Sequence, residues 1–176
     1  MSETHETSEA NIFKGMLAGA VGGLVASWTM NEFQKVWSAA EKQIAGGKQG
    51  QQGGQKNSED AEDATMKTAD RISEALRGRH LTKAEKKKVG PVVHYAFGAL
   101  MGAVYGASVE VNPAANALAG IPFGAILFAG ANEVALPALG LSDKPAAYPL
   151  STHLYGLVSH AVYGVTTETV RRIVRG

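Results

Sequence analysis

The chain has no cysteine, which excludes disulfide staples and thiolate metal sites. It has almost no net charge: 17 Lys and Arg stand against 16 Asp and Glu. Such an even balance argues against a nucleic-acid binder. It also lacks the basic start of a cleavable signal peptide, because Glu3, Glu6 and Glu9 precede Lys14. The first apolar segment therefore reads as a retained anchor. Neither H-E-x-x-H nor Glu-x-x-His occurs, and no nucleophile–base pair stands out, so no reaction class can be read from these residues.

Glycine is abundant, at 21 of 176 residues. Four apolar stretches about as long as a bilayer is thick carry it at recurring spacings: Gly15, Gly19 and Gly23; Gly98, Gly102 and Gly106; Gly120 and Gly124; Gly156 and Gly164. In water, glycine inside a helix costs roughly 1 kcal/mol relative to alanine. In lipid, small residues four apart let helix backbones touch, and packing replaces the missing hydrophobic drive. The expectation is an all-α polytopic membrane protein with one membrane domain over residues 1–176. Its four transmembrane helices lie at 12–33, 89–109, 114–136 and 150–170, each close to the ~20 residues that spanning requires. Pro122 falls inside the third, and the fourth is the most polar.

A mean hydropathy of −0.07 averages these stretches with a polar insert. Residues 34–88 carry 12 of the 17 Lys and Arg. Apolar spacing continues past Phe33 through Trp37, Ala40 and Ile44 and predicts a stalk leaving the membrane. Residues 46–57 form a Gly/Gln-rich flexible linker. Residues 58–77 read as an amphipathic helix with a thin stripe of Met66, Ala69, Ile72 and Leu76. It is either a solvated surface helix or a docking element for a partner or a membrane surface. Thr82 and Glu85 make a capping-box pattern before Lys86, Lys87 and Lys88.

The apolar segments repeat. Segments one and three align at an offset of about 101, matching Gly19 with Gly120, Gly23 with Gly124, Asn31 with Asn132 and Glu32 with Glu133. Segments two and four align at about 58, matching Pro91 with Pro149, Gly98 with Gly156, Tyr105 with Tyr163 and Glu110 with Glu168. This predicts two hairpins in a parallel repeat about an axis along the membrane normal. One face, A, then collects Asn31, Glu32, Asn132, Glu133, His94 and His153. The other, B, collects Glu110 and Glu168. Most Lys and Arg belong to face A, which places it in the cytoplasm with both termini outside, although Arg171, Arg172 and Arg175 pull the other way.

Ionisable groups at membrane depth mark function by default. His160 is the deepest, with His153 two turns above it and Glu168 two turns below. One reading is an ion or proton relay through His160, His153, His94, Glu168 and Glu110. The other is an interhelical hydrogen bond from His160 to a backbone carbonyl or to Tyr105 or Tyr163, with Glu110 and Glu168 as solvated interface residues and Glu168 able to pair with Arg171 or Arg172 at i+3 and i+4. Asn31, Glu32, Asn132 and Glu133 form a polar mouth or tie helix ends together. Their spacing matches no metal motif, so neither a metal nor a cofactor is expected. Trp28, Trp37, Tyr148 and Tyr155 read as interfacial or packing aromatics.

The run Gly90-Pro91-Val92-Val93-His94-Tyr95-Ala96-Phe97-Gly98 with Tyr105-Gly106, and His153 to Arg172 with Tyr163-Gly164, resemble the YagU-like bacterial inner-membrane family. The resemblance implies a multi-pass inner-membrane location and assigns no activity or catalytic residues. Three functions stay open. The first is a small channel or carrier for ions, protons or small solutes, assembled as a homo-oligomer in membrane lipid because four helices scarcely enclose a pore. The second is a non-catalytic scaffold or stress-response factor whose 58–88 segment recruits a protein partner or anionic lipid. The third, a metal enzyme at face A, has the least behind it.

Overall fold

The computed structural model describes residues 2–44 and 63–176, with side chains from residue 11 onward apart from 42 and 44. Among the described residues every regular element is helical. The linker expected at 46–57 and the first residues of the helix expected at 58–77 lie outside the described residues.

Helix α1 runs Ser2–Ile44. At 1.5 Å per residue it is about 65 Å long, twice the ~30 Å hydrocarbon core, so anchor and stalk are one rod. Helix α2 spans Ala64–Arg77. The Asp63 carboxylate accepts from the Met66 N–H at 2.8 Å, and Gly78 closes the helix in the left-handed region at φ 65°. Helix α3 spans Lys83–Val111. Its capping box is formed: the Thr82 hydroxyl accepts from the Glu85 N–H, and the Glu85 carboxylate accepts from the Thr82 N–H. Pro91 lies within the third turn of α3, where it lacks the N–H that would bond back to the carbonyl four residues earlier.

The third apolar stretch differs from expectation. It is not one helix over 114–136. Pro113–Gly120 starts as a 3₁₀ turn and then breaks, with Leu118, Ala119 and Gly120 at φ 50°, 54° and 83°. Left-handed backbone at the two non-glycine residues costs on the order of 1 kcal/mol or more each. The break leads Gly120 against Gly164, where a side chain at position 120 would strike the Gly164 carbonyl. Helix α4 begins only at Ile121 and runs to Leu127, with Pro122 in its first turn rather than its interior. Proline is tolerated there because that turn's N–H groups have no partner in the helix. A π turn, Phe128–Ala135, comes next, then the short α5, Leu136–Ala138. The last helix, α6, spans Leu150–Arg175 with Pro149 as its N-cap.

Helix α1 packs along both α3 and α6, and α4 packs on α6. Between α3 and α4 the Tyr105 and Phe123 rings pack together, 4.5 Å between centroids. The α1–α3 seam is glycine against glycine. A methyl on Gly19 would overlap the Gly102 carbonyl, and one on Gly23 the Gly98 carbonyl. Gly15 meets Gly106 and the Glu110 side chain. On the second pair, Gly120 lies against Gly164, Gly124 against the His160 carbonyl and Gly156 against the Phe128 ring.

Large apolar side chains point outward: Phe13, Leu17, Val21, Leu24 and Trp28 on α1, Phe97, Leu100 and Val104 on α3, Ile126 and Val134 after them. The interior holds small and polar groups, including Ala18, Ala26, Ser27, Ser159, Thr167 and Glu168. A protein folded in water hides its apolar side chains; this distribution is the reverse. Three helical stretches, Asn11–Glu41, Lys83–Val111 and Pro113–Ala138, are long and apolar enough to cross a bilayer. Together these features mark a membrane protein. α6 is not among the three.

Candidate functional site

α6 is more polar than these three stretches, and one face of it is buried. Its buried residues are Ser159, His160, Tyr163, Gly164, Thr167, Glu168 and Arg171. They fall at i, i+1, i+4, i+5, i+8, i+9 and i+12, a double stripe one helical face wide. That face meets α1 and α4, so the polar groups turn inward while Leu154, Leu157, Ile173 and Val174 stay outside.

At the C-terminal end of α6 an ionic clamp ties three helices together. Glu168 is 1% exposed. The Arg171 guanidinium donates to both its oxygens, at 2.7 and 3.0 Å, and Arg172 also donates to it. Arg175 donates to Glu110 of α3 at 2.7 Å and to Asn11 of α1 at 3.2 Å. The expectation that Glu110 and Glu168 are solvated is corrected, since Glu168 is buried and Glu110 half-buried, while the expected pairing of Glu168 with Arg171 and Arg172 is formed. The physical reason is the i+3 and i+4 spacing of Arg171 and Arg172, which supplies the charge that makes burial of Glu168 tolerable.

Midway along the bundle, Phe123 lies between Tyr105 and Tyr163, with Phe123–Tyr163 centroids 6.2 Å apart. The Tyr163 hydroxyl donates to the Gly98 carbonyl of α3 at 2.6 Å. Ala26, Met30 and Tyr163 form the buried apolar cluster beside it.

His160 corrects a second expectation. Its hydrogen bond is not interhelical: Nδ1 pairs with the Gly156 carbonyl of its own helix at 2.8 Å, and its ring faces Phe128 at 5.4 Å. A carbonyl four residues back is always within reach of a helical side chain turned toward the N-terminus. His153 sits at the opposite end of α6, pairing Nδ1 with Glu133 at 2.9 Å and Nε2 with the Pro145 carbonyl at 3.1 Å. His94 packs edge-on against Tyr95. Among the described residues, no direct hydrogen bond links His94, His153, His160, Glu110 and Glu168 to one another.

The polar residues at face A pair off separately. The Asn31 amide donates to the Tyr95 hydroxyl at 3.4 Å. Glu32 pairs with Lys35 at 2.7 Å. Glu133 takes His153, and Asn132 is exposed. Trp37 stacks near Phe33 and Tyr155. Among the described residues no three His, Asp or Glu side chains gather as a metal ion requires.

Above face A, α2 folds back onto the start of α3. Ala69 and Ser73 are buried, and Met66 and Thr65 lie 3.1 Å from a methyl position on Gly90. Asp70 accepts from the Leu81 N–H at 2.7 Å and pairs with Lys86 and His80, both at 3.1 Å. The Leu81 amide chiefly, with Lys86 and His80, holds the Asp70 carboxyl below its ordinary value. Arg79 bridges to Glu85 through two bonds of 3.1 and 2.8 Å. Ile72 and Leu76 of the predicted stripe point outward.

Ser159 and Thr167 do not stand out as site residues in the sequence, and Tyr105 and Tyr163 stand out only as a repeat pair and as possible partners of His160. The signal that marks them is the four-residue spacing of Ser159, Tyr163, Thr167 and Arg171, an inward polar face on α6.

A family model described as a protein of unknown function, DUF1440, matches residues 73–169, more than half of the chain. The chain belongs to the DUF1440 family. The matched stretch takes in the end of α2, all of α3 and α4, and α6 as far as Thr169. No curated protein and no solved structure matches the chain. In this DUF1440 protein α1, against which both α3 and α6 pack, lies outside the matched stretch.

Proposed function

We propose that the chain is a multi-pass protein of the bacterial inner membrane, of the YagU-like kind, and a non-catalytic carrier or channel for protons, ions or small hydrophilic solutes. The observation that carries this reading is the buried face of α6, whose polar stripe turns toward the apolar helices α1 and α4. Intramembrane polar and ionisable groups that face a bundle interior are where such proteins build their pathways. α6 then crosses as a fourth, shielded helix. The glycine seams leave little space inside one copy, so conduction calls for a homo-oligomer in the lipid or for movement between hairpins.

The parallel repeat is part of this proposal, and the π turn supports it. Asn31 pairs with Tyr95 in the first hairpin. The repeat offsets carry these positions to Asn132 and His153, yet Glu133 is the partner of His153. A π turn holds one residue more than an α turn and so rotates the side chains beyond it. The Phe128–Ala135 turn lies where it would exchange Asn132 for Glu133 at the equivalent place. Face A, with most of the Lys and Arg, is cytoplasmic in this reading. Reporter fusions at each terminus test that, and cytoplasmic signal from either overturns it.

The functional test is flux in proteoliposomes loaded with a pH-sensitive dye. Wild type should dissipate a proton or cation gradient, and His160→Ala should change the rate. Equal rates for the two proteins and for empty vesicles remove the proposal.

A second reading rests on the α2–α3 hairpin. Its caps, the Asp70 network and the Arg79–Glu85 bridge make it rigid, and it leaves Ile72 and Leu76 exposed. Such a post suits recruitment of a protein partner. Ile72→Glu with Leu76→Glu should abolish partner recovery from membranes without disturbing the bundle. Undiminished recovery rules the post out.

A further inference from the structure

Residues 139–149 join α5 to α6. The Gly140 and Leu141 N–H groups donate to the Pro137 and Leu136 carbonyls, at 3.0 and 2.9 Å, and the Leu141 side chain is buried. Farther on, the Asp143 N–H donates to the Tyr148 hydroxyl at 3.3 Å, and the Tyr148 N–H to the Pro145 carbonyl at 3.0 Å. These bonds hold the loop to itself and to the end of α5. His153 ties it to α6. The imidazole stands between the Pro145 carbonyl, 3.1 Å from Nε2, and the Glu133 carboxyl, 2.9 Å from Nδ1.

The partners decide how many protons the pair holds. A carbonyl oxygen only accepts, so Nε2 must carry a proton. An ionised carboxylate also only accepts, so Nδ1 must carry one too, and the ring is then an imidazolium. If the carboxyl is protonated instead, it donates to a neutral Nδ1, and the pair still holds that one extra proton. Without it, one bond fails. A neutral ring with its N–H on Nε2 turns the Nδ1 lone pair onto a carboxylate oxygen. With its N–H on Nδ1, it turns the Nε2 lone pair onto the Pro145 carbonyl. The charge-assisted bond to Glu133 is the stronger of the two, so the bond given up is the one to the loop. The two side chains are each 27% exposed, so a proton reaches them from water without opening the bundle.

We propose that His153 and Glu133 form a proton-binding site whose bound proton fastens the 139–149 loop to α6 through the Pro145 carbonyl. Histidine changes charge between about pH 5 and 8. The loop is fastened below the midpoint of the pair and freed as pH rises through it. Glu133, from the π turn, is the charged group bonded to the ring. In the loop, Asp143 and Lys144 are exposed and precede Pro145, and the Tyr148 hydroxyl is engaged by the Asp143 N–H. Arg71 of α2 approaches the loop at Gly140. Glu41 of α1 accepts from the Trp37 indole. The site stands on its own geometry, whether or not the chain conducts.

The chain has no cysteine, so Ala146→Cys places a single thiol at an exposed position of the loop. A nitroxide attached there, in the full chain in detergent micelles, reports loop motion through its electron paramagnetic resonance line shape. Nitrogen NMR of the unlabelled chain reports the charge of the His153 ring, assigned by its disappearance in His153→Gln. The nitroxide should be immobilised at low pH and become mobile as pH rises, with the midpoint of the His153 ring. Glu133→Gln should move both midpoints to lower pH, because the imidazolium loses its carboxylate. Glutamine at 153 takes up no proton, so nitroxide mobility in His153→Gln should not depend on pH. Mobility unchanged by pH in the wild-type background overturns the proposal, as does the original midpoint persisting in His153→Gln. If His153→Gln does not fold by circular dichroism, Glu133→Gln decides alone: midpoints that stay in place overturn the site.

Discussion

Replacing Gly19 by alanine tests the α1–α3 seam directly. The added methyl would meet the Gly102 carbonyl well inside contact distance and the Gly106 Cα at 3.0 Å. Both are backbone, so no side chain can rotate away. Restoring ordinary contact, 3.4 Å or more, requires the two helices to separate by about 1 Å. A gap of 0.5–1 Å forfeits about a quarter to a half of each dispersion contact, and overpacking of this kind costs about 1–3 kcal/mol. Alanine's better helix propensity returns up to about 1 kcal/mol. The expected net loss is about 1–2 kcal/mol, roughly tenfold in the folding equilibrium. Gly130→Ala is the matched control, because nothing lies within 4 Å of its added methyl. It should be neutral or slightly stabilising. The assay is loss of helical circular dichroism with increasing SDS in mixed micelles. Equal midpoints for Gly19→Ala and Gly130→Ala would refute the claim that backbone contact holds this seam.

The charged groups give two further expected outcomes. Asp70 has its carboxyl held below the ordinary 3.8, first by the Leu81 amide and then by Lys86 and His80, so its contribution to α2 docking is complete above that value and is lost as pH falls through the lower folded value. Amide exchange in α2 should rise over that acidic window, and Asp70→Asn should raise it already at neutral pH; exchange unchanged in both would exclude this anchor. Arg171→Ala leaves Glu168 with only the half-exposed Arg172 and should cost about 3–5 kcal/mol, as breaking a buried pair does, whereas Arg171→Met with Glu168→Leu should stay near wild type. Comparable losses in the single and double variants, measured in the same SDS titration, would count against the clamp.

The helical class, the continuation of α1 past Phe33, the Thr82–Glu85 cap and the apolar character of the long helices were all legible in the sequence, because each depends on local pattern: periodicity, capping chemistry and run length. Glycine spacing drew attention to the seams without saying which glycine meets which. The break before Ile121 was not legible, since Leu118 and Ala119 have no preference for left-handed backbone and adopt it only where Gly120 must reach Gly164. Nor was the burial of Glu168. Sequence shows a carboxylate with two arginines at i+3 and i+4, and that pattern serves equally on a wet surface.

Sequence by itself determined that this protein has an apolar exterior of lipid-compatible helices, because run length and composition act one segment at a time. Tertiary structure alone decided that α6, more polar than those helices, packs on α1 and α4 with its polar stripe inward. That outcome depends on the neighbours of α6. The partners that make its burial tolerable, the Gly98 carbonyl for Tyr163 and Glu110 with Asn11 for Arg175, come from other helices far away in the chain.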